Sequence, residues 1–374
     1  MRQILLFFAC VLSFAAQAQL APQPPTVAAK SWLLLDAGSG QVLASHNPDT
    51  KAEPASLTKL MSAYLVFAAL KQKTLKPDQV VPVSTKAWKT GGSRTFIEPD
   101  KSVTVEELLN GMIVQSGNDA SVALAEAVAG SEEVFAQMMT REAQRLGLKN
   151  SSFTNSTGLS DPQHYTTARD LALLAAAIIR DFPEYYTIYS KKEYTYNRIT
   201  QPNRNRLLWL DPTVDGVKTG HTETAGYCLV ASSKRGPRRL ISVVMGTSSE
   251  NVRAQESLKL LNYGFQFFDT VVVYKKGEPV RTERIWKGAQ DTVKIGFQED
   301  LVLSLPKGQA EKVKAEVAIK KPMLAPVSQG ASVGTLKLAV DEKPLGEYPL
   351  LVLEAVPAAG IFGRTWDSMR LWFQ

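Results

Sequence analysis

The sequence predicts an α+β chain: an antiparallel sheet carrying a cluster of helices, then a small all-β domain, then a terminal amphipathic helix. Three observations lead there. Apolar residues recur with a helical period through residues 54–181, whereas "VDGVKTGHT", "AGYCLVASS" and "RRLISVVMGT" alternate as successive antiparallel strands do. From about residue 270 the helical period disappears, and short alternating segments are separated by Gly and Pro turns. A helical pattern with aromatics on one side then returns in residues 358–374.

The elements follow in order. "MRQILLFFACVLSFAAQAQ" has a basic residue, a short apolar run and small residues before Gln19, so residues 1–18 read as a secretory signal cut after Ala18. The run is too short for an ordinary membrane span. Cys10 leaves with it, and Cys228 alone cannot form an internal disulfide. A Pro-rich linker occupies 19–29 and a first domain spans 30–268. It opens with a hairpin around Gly38-Ser39-Gly40, followed by a helix over about 54–71. Two further helices meet at Ser116-Gly117-Asn118, the first opened by a Thr104/Glu107 capping box. Another ends at Gly147 and another before Pro183, then come the three strands and a helix near 250–268. Strands open and close the domain with helices between them, which excludes a βαβ repeat. Residues 269–357 form the second, β-sandwich-like domain and 358–374 the tail.

Composition is that of globular domains with real cores: 44% hydrophobic and 21% charged residues, at a formal charge of +7. The basic residues are scattered. Their densest cluster, "KRGPRR" at 234–239, lies between two apolar runs and reads as a solvated hairpin turn, with no nucleic-acid partner expected.

Three short motifs bear on chemistry. Ser56-x-x-Lys59 lies at the head of an apolar helix, "EPASLTKLMSAYLVFAAL". It reads either as a helix start, with Ser56 capping and Lys59 reaching water, or as a nucleophile with its base. Ser304-Leu305-Pro306-Lys307 has the same letters, but Pro306 forbids the helical pairing. Lys-Thr-Gly also occurs twice: Lys89-Thr90-Gly91 in a Gly-rich loop, and Lys218-Thr219-Gly220 on a strand that can present Lys218 along a sheet edge. The ordered set of Ser56/Lys59, Ser116-Gly117-Asn118 and Lys218-Thr219-Gly220 is what carries information.

In that order and context the set resembles the penicillin-recognising serine acyl-enzymes, whose three elements converge on one cleft. Through "SLTKLM", "QSGNDA", "VDGVKTGHT" and "NRNRLLW" the chain is similar to the low-molecular-mass penicillin-binding proteins that are D-alanyl-D-alanine carboxypeptidases. The likeness covers nearly the whole chain. It implies a transpeptidase/β-lactamase-like catalytic domain, peptidoglycan pentapeptide stems as substrate, and β-lactam antibiotics as covalent inhibitors. In that reading Ser56 attacks the penultimate carbonyl, Lys59 acts as base, and the backbone at Ser56 and His221 stabilises the oxyanion. Ser116 and Lys218 relay a proton, Asn118 orients the substrate, and Thr219, in the Lys218-Thr219-Gly220 element, holds the terminal carboxylate with Arg253. Asp181 and Arg204 carry over too, though a helix-end Asp and surface-paired arginines remain the plainer reading of Asp181, Arg204 and Arg253. The family sometimes has His where Thr157 stands in "NSTGLSD".

A β-lactamase is the nearest rival; the letters Glu106-Glu107-Leu108-Leu109-Asn110 match one of its elements but precede Ser116. A metallohydrolase is disfavoured, since His46, His164 and His221 are scattered and no His-Glu-x-x-His exists, so neither metal nor cofactor is expected. A non-catalytic cell-wall scaffold would be expected to lack Ser56, Lys59 or Lys218. Oligomeric state stays open. In the tail, Phe362, Trp366, Met369 and Phe373 share a face with Ile361 and Trp372 beside it, while Arg364, Asp367, Ser368 and Gln374 lie mostly opposite. That helix is expected to lie in a membrane interface and anchor the chain at the periplasmic side of the bacterial inner membrane; the alternative is that its apolar face docks on the β domain.

Overall fold

The computed structural model describes residues 23–372, so the signal reading of 1–18 with Cys10, and Phe373 and Gln374 of the tail, lie outside the described residues. The first domain is built on a five-stranded antiparallel sheet. Its strands are β1 (Ser31–Asp36), β2 (Val42–His46), β3 (Val214–Thr222), β4 (Gly226–Arg235) and β5 (Arg238–Thr247), in the spatial order β2-β1-β5-β4-β3. β1 is buried along its whole length because both faces of the sheet are covered. Leu33, Leu35, Ile241 and Val243 face the helical cluster. Leu34, Leu240 and Val244 meet Leu260 and Leu261 of the long helix Glu250–Phe267 on the other face. β3 is left at the edge, as expected for a strand that presents Lys218.

The helical cluster centres on α1 (Lys59–Lys71), a helix apolar on every side and therefore interior: Leu60, Met61, Ala63, Val66 and Phe67 are fully buried. Around it pack α2 (Asn118–Ala129), α3 (Glu132–Arg145) and α4 (Ala168–Asp181). The expected helix over 54–71 is two pieces, a 3-10 turn at Ala55–Thr58 and then α1. Ser56 caps neither piece; the residue before α1 is Thr58, and no side chain closes that end. The expected capping box is present: Thr104 Oγ1 accepts the Glu107 N–H at 3.3 Å and Glu107 Oε2 accepts the Thr104 N–H at 2.8 Å. The Glu107 of the β-lactamase-like letters is thus engaged at a helix start, and Asn110 accepts from Lys191 Nζ at 2.7 Å. The helix Val105–Asn110 widens into a π turn at Gly111–Gln115 before it stops.

The 234–239 cluster does turn a hairpin, between β4 and β5, but its arginines are not simply solvated. Arg239 grips Asp215 with two bonds of 2.7 Å, and Arg238 donates to the Phe268 carbonyl at 2.6 Å. They brace the sheet and its junction with the second domain.

That domain has a five-stranded sheet, with Pro279–Arg284, Thr292–Gly296, Lys343–Val352, Ser332–Val340 and Val313–Ile319 in spatial order. A two-stranded ribbon of Phe268–Tyr274 and Leu301–Pro306 closes a core that includes Val293, Ile295, Leu303, Leu305, Leu336, Leu338, Leu350 and Val352. Ser304 lies on that ribbon, its hydroxyl 2.8 Å from Ser39 Oγ across the domain junction. The tail helix Ile361–Leu371 touches the β domain through its polar edge, where Asp367 Oδ2 accepts the Lys287 N–H at 2.6 Å. Ile361, Phe362, Trp366, Met369 and Trp372 stay exposed, Phe362 by 93%. Among the described residues no helix is long and apolar enough to cross a membrane.

Candidate active site

The 3-10 turn delivers Ser56 and Lys59 to one point at the helical face of β3. Lys59 Nζ lies 3.0 Å from Ser56 Oγ, and donates to Asn118 Oδ1 and to the Thr157 carbonyl, each at 2.7 Å. The side chain is 1% exposed. Burial is the main force against its charge, reinforced by the Arg204 guanidinium and opposed by Asp119 and Glu132, and its pKa falls to about 7. At neutral pH a large fraction of Lys59 is therefore free amine. Such an amine accepts a proton from a hydroxyl at this distance. The turn needs unusual backbone: Ala55 has φ 48°, and Gly158, with φ +87°, lies so close that a Cβ there would meet the Ala55 carbonyl oxygen at 1.8 Å. Gly220 is constrained less severely, by space alone: a Cβ would stand 2.8 Å from the Pro54 oxygen.

Ser116 ends the π turn in the left-handed region, φ 71°, and its buried hydroxyl has no hydrogen-bond partner among the described residues. Strain and an unsatisfied hydroxyl at one residue are the marks of a functional position. Asn118, at the start of α2, bridges Lys59 to the Gly91 carbonyl, which accepts from Asn118 Nδ2 at 2.7 Å. The loop carrying the discounted Lys89-Thr90-Gly91 therefore walls the site with its backbone, while Lys89 itself is exposed.

On the opposite side β3 brings Lys218, 3% exposed, whose Nζ has among the described residues a single hydrogen-bond partner, the Thr219 carbonyl at 3.3 Å. Burial, then Lys59, Arg204 and Arg253, hold its pKa well below the ordinary lysine value. Thr219 is buried beside it, and the exposed His221 ring lies against Tyr227, centroids 4.0 Å apart and planes tilted by 30°. Arg253, also 3% exposed, donates to the Gly220 carbonyl at 3.3 Å and to the Arg204 carbonyl at 3.5 Å. It ties the edge strand to the segment bearing Arg204, whose exposed guanidinium lies close enough to depress both lysines. Asp181 is not brought here. It closes α4, where it accepts from Tyr64 Oη at 2.8 Å and from Arg180. The carboxylate is thus satisfied beside the middle of α1 rather than in the cleft.

Motif reading missed the Thr157 and Gly91 carbonyls and the clamp by Asp119. That buried carboxylate accepts the N–H of Thr95 and of Phe96, each at 2.8 Å, and pins the loop against Asn118. The only sequence signals were Asp119 itself and the glycines.

A serine beside a buried lysine of depressed pKa, a second buried serine two residues before the asparagine that this lysine holds, and a second desolvated lysine that feels its charge are the groups that serine acyl transfer needs. Comparison with known proteins is specific. The D-alanyl-D-alanine carboxypeptidase family (peptidase S11) matches residues 18–249, and the C-terminal domain of penicillin-binding protein 5 matches residues 268–358. The D-alanyl-D-alanine carboxypeptidase DacC of Escherichia coli (strain K12) is 44% identical, over 98% of this chain and 94% of its own length. DacA of Haemophilus influenzae is 42% identical over 97% and 95%. The crystal structure of penicillin-binding protein 5 from Haemophilus influenzae superposes with a TM-score of 0.87 at 42% identity, covering 89% of this chain and 99% of that one. The chain belongs to the peptidase S11 family of D-alanyl-D-alanine carboxypeptidases.

Proposed function

We propose that this protein removes the terminal D-alanine from peptidoglycan stem peptides through an acyl-enzyme on Ser56. The observation that carries the reading is Lys59 Nζ at 3.0 Å from Ser56 Oγ with a pKa near 7. Lys59 takes the hydroxyl proton as Ser56 Oγ attacks the penultimate carbonyl. The backbone N–H groups of Ser56 and His221 hold the oxyanion. Ser116, whose hydroxyl has no competing partner, passes a proton with Lys218 to the departing D-alanine amine. Asn118 orients the peptide, the Thr219 hydroxyl donates to its terminal carboxylate, and Arg253 with Arg204 supplies the positive field for that group. Water then releases the acyl group. The unpaired edge of β3 suits an extended peptide laid along it. Penicillin acylates the same serine. Asp181, engaged with Tyr64 and Arg180, is proposed to support α1 rather than to touch substrate.

The test pairs two measurements on the purified chain: a mass shift on Ser56 with penicillin, and D-alanine release from a D-Ala-D-Ala peptide. Labelling without release would reject the carboxypeptidase reading, and rapid turnover of penicillin would favour a β-lactamase.

The same reading sets the enzyme on the periplasmic face of the inner membrane. The observation that favours it is the tail helix, which spends its polar edge on the β domain and leaves its aromatic face in water. Full-length protein is expected to sediment with anionic vesicles, and a chain cut after Val356 to stay in the supernatant with D-alanine release intact. A full-length protein that ignores vesicles overturns the anchor.

A further inference from the structure

Outside the three motifs, one buried titratable side chain touches the catalytic turn. His164 is 3% exposed, and its two ring nitrogens join two separate backbone segments. Nδ1 lies 3.1 Å from the Thr154 backbone nitrogen and 3.2 Å from Thr154 Oγ1. A backbone amide only donates, so Nδ1 accepts and the proton of the neutral ring is on Nε2. Nε2–H therefore donates to Thr58 Oγ1, at 2.8 Å. Thr58 is the last residue of the turn that carries Ser56, and the one before Lys59. Thr154 opens the loop whose Thr157 carbonyl holds Lys59 Nζ. Asn155 Oδ1 stiffens that loop by accepting the N–H of Thr157 and Gly158, and Gly158 rests on the Ala55 carbonyl.

We infer that His164 is a positioning residue for acylation: its ring sets the distance between the Ser56–Lys59 turn and the Thr157 carbonyl that aims the lysine. The inference rests on Ser56 and Lys59 being nucleophile and base. Misplacement of a reacting group by about 1 Å costs on the order of 100-fold in rate. Phenylalanine is a somewhat larger flat ring that can keep the edge contact with Phe153 and makes none of the ring-nitrogen bonds to Thr58 and Thr154.

The experiment measures acylation by a fluorescent penicillin, separating the acylation rate constant from the dissociation constant of the initial complex. His164→Phe should lower the rate constant roughly 10- to 100-fold at an unchanged dissociation constant. His164→Gln, which restores a donor toward Thr58, should recover most of the loss. Thr58→Val should lower the rate in the wild-type background but add nothing to His164→Phe, because both remove the same bond. A folded His164→Phe protein acylating within about twofold of wild type overturns the inference, as do fully additive losses in the double variant. Should His164→Phe fail to fold, Thr58→Val alone decides: an unchanged rate constant overturns it. Failure of the underlying reading looks different, since Ser56→Ala would then still be labelled.

Discussion

Ser56-Leu57-Thr58-Lys59 and Ser304-Leu305-Pro306-Lys307 share their defining letters and almost nothing else. The first is a 3-10 turn running into a buried helix; its lysine is 1% exposed and 3.0 Å from its serine. The second lies on and just past a β-strand, with Ser304 hydrogen-bonded to Ser39 and Lys307 exposed to water. A serine and lysine become nucleophile and base only when the backbone brings them together and the surroundings strip the lysine of solvent. The two Lys-Thr-Gly copies repeat the lesson: Lys218 is buried on an edge strand, and Lys89 is exposed at the end of the short helix Thr85–Lys89.

The contrast is broken most directly at the serines. Ser56→Ala is expected to abolish penicillin labelling and D-alanine release with the fold intact, and Ser304→Ala to leave both unchanged. Surviving label in the first variant, or lost label in the second, would reverse the assignment. At the lysines, Lys59→Arg should leave less than about a tenth of wild-type turnover, because a guanidinium remains charged and cannot act as base. Lys307→Arg should be silent. Acylation should rise about tenfold per pH unit up to about pH 7 and level off above it, as Lys59 loses its proton; a flat profile below pH 7 contradicts the general base. Lys218→Ala is expected to reduce D-alanine release by about 100-fold or more, and Lys89→Ala to be without effect, measured by initial rates on the same peptide.

The smallest effect is on stability. Burial holds the His164 pKa at about 4, helped by Lys59 and opposed by Asp161. Between the ordinary histidine pKa of about 6.5 and pH 4 the unfolded chain takes a proton that the folded protein refuses, so stability falls as pH falls through that window. The loss amounts to on the order of 3 kcal/mol, complete near pH 4. His164→Gln should flatten that slope in chemical denaturation. An unchanged slope in His164→Gln would mean that other groups set the acid sensitivity.

Local physics made much of this molecule readable in advance. The strands around residues 214–247, the helix Glu250–Phe267 and the Thr104/Glu107 capping box are written in periodicity and in contacts three residues apart. So is the nearness of Ser56 to Lys59, since a helix and a 3-10 turn both bring i and i+3 together. What depended on the assembled chain was everything contributed by groups that have no letter of their own or that come from far along the sequence. The Thr157 and Gly91 carbonyls belong to backbone, and any residue type would supply them. The pairing of His164 with Thr58 spans 106 positions, and Arg239 was spent on Asp215 rather than on solvent. Asp181, carried over by motif, found its partners in Tyr64 and Arg180 instead of the cleft. Residue type and short spacing fix which chemistry is available; the depth of burial, and therefore whether a lysine is an ammonium or a base, is a property of the packed whole.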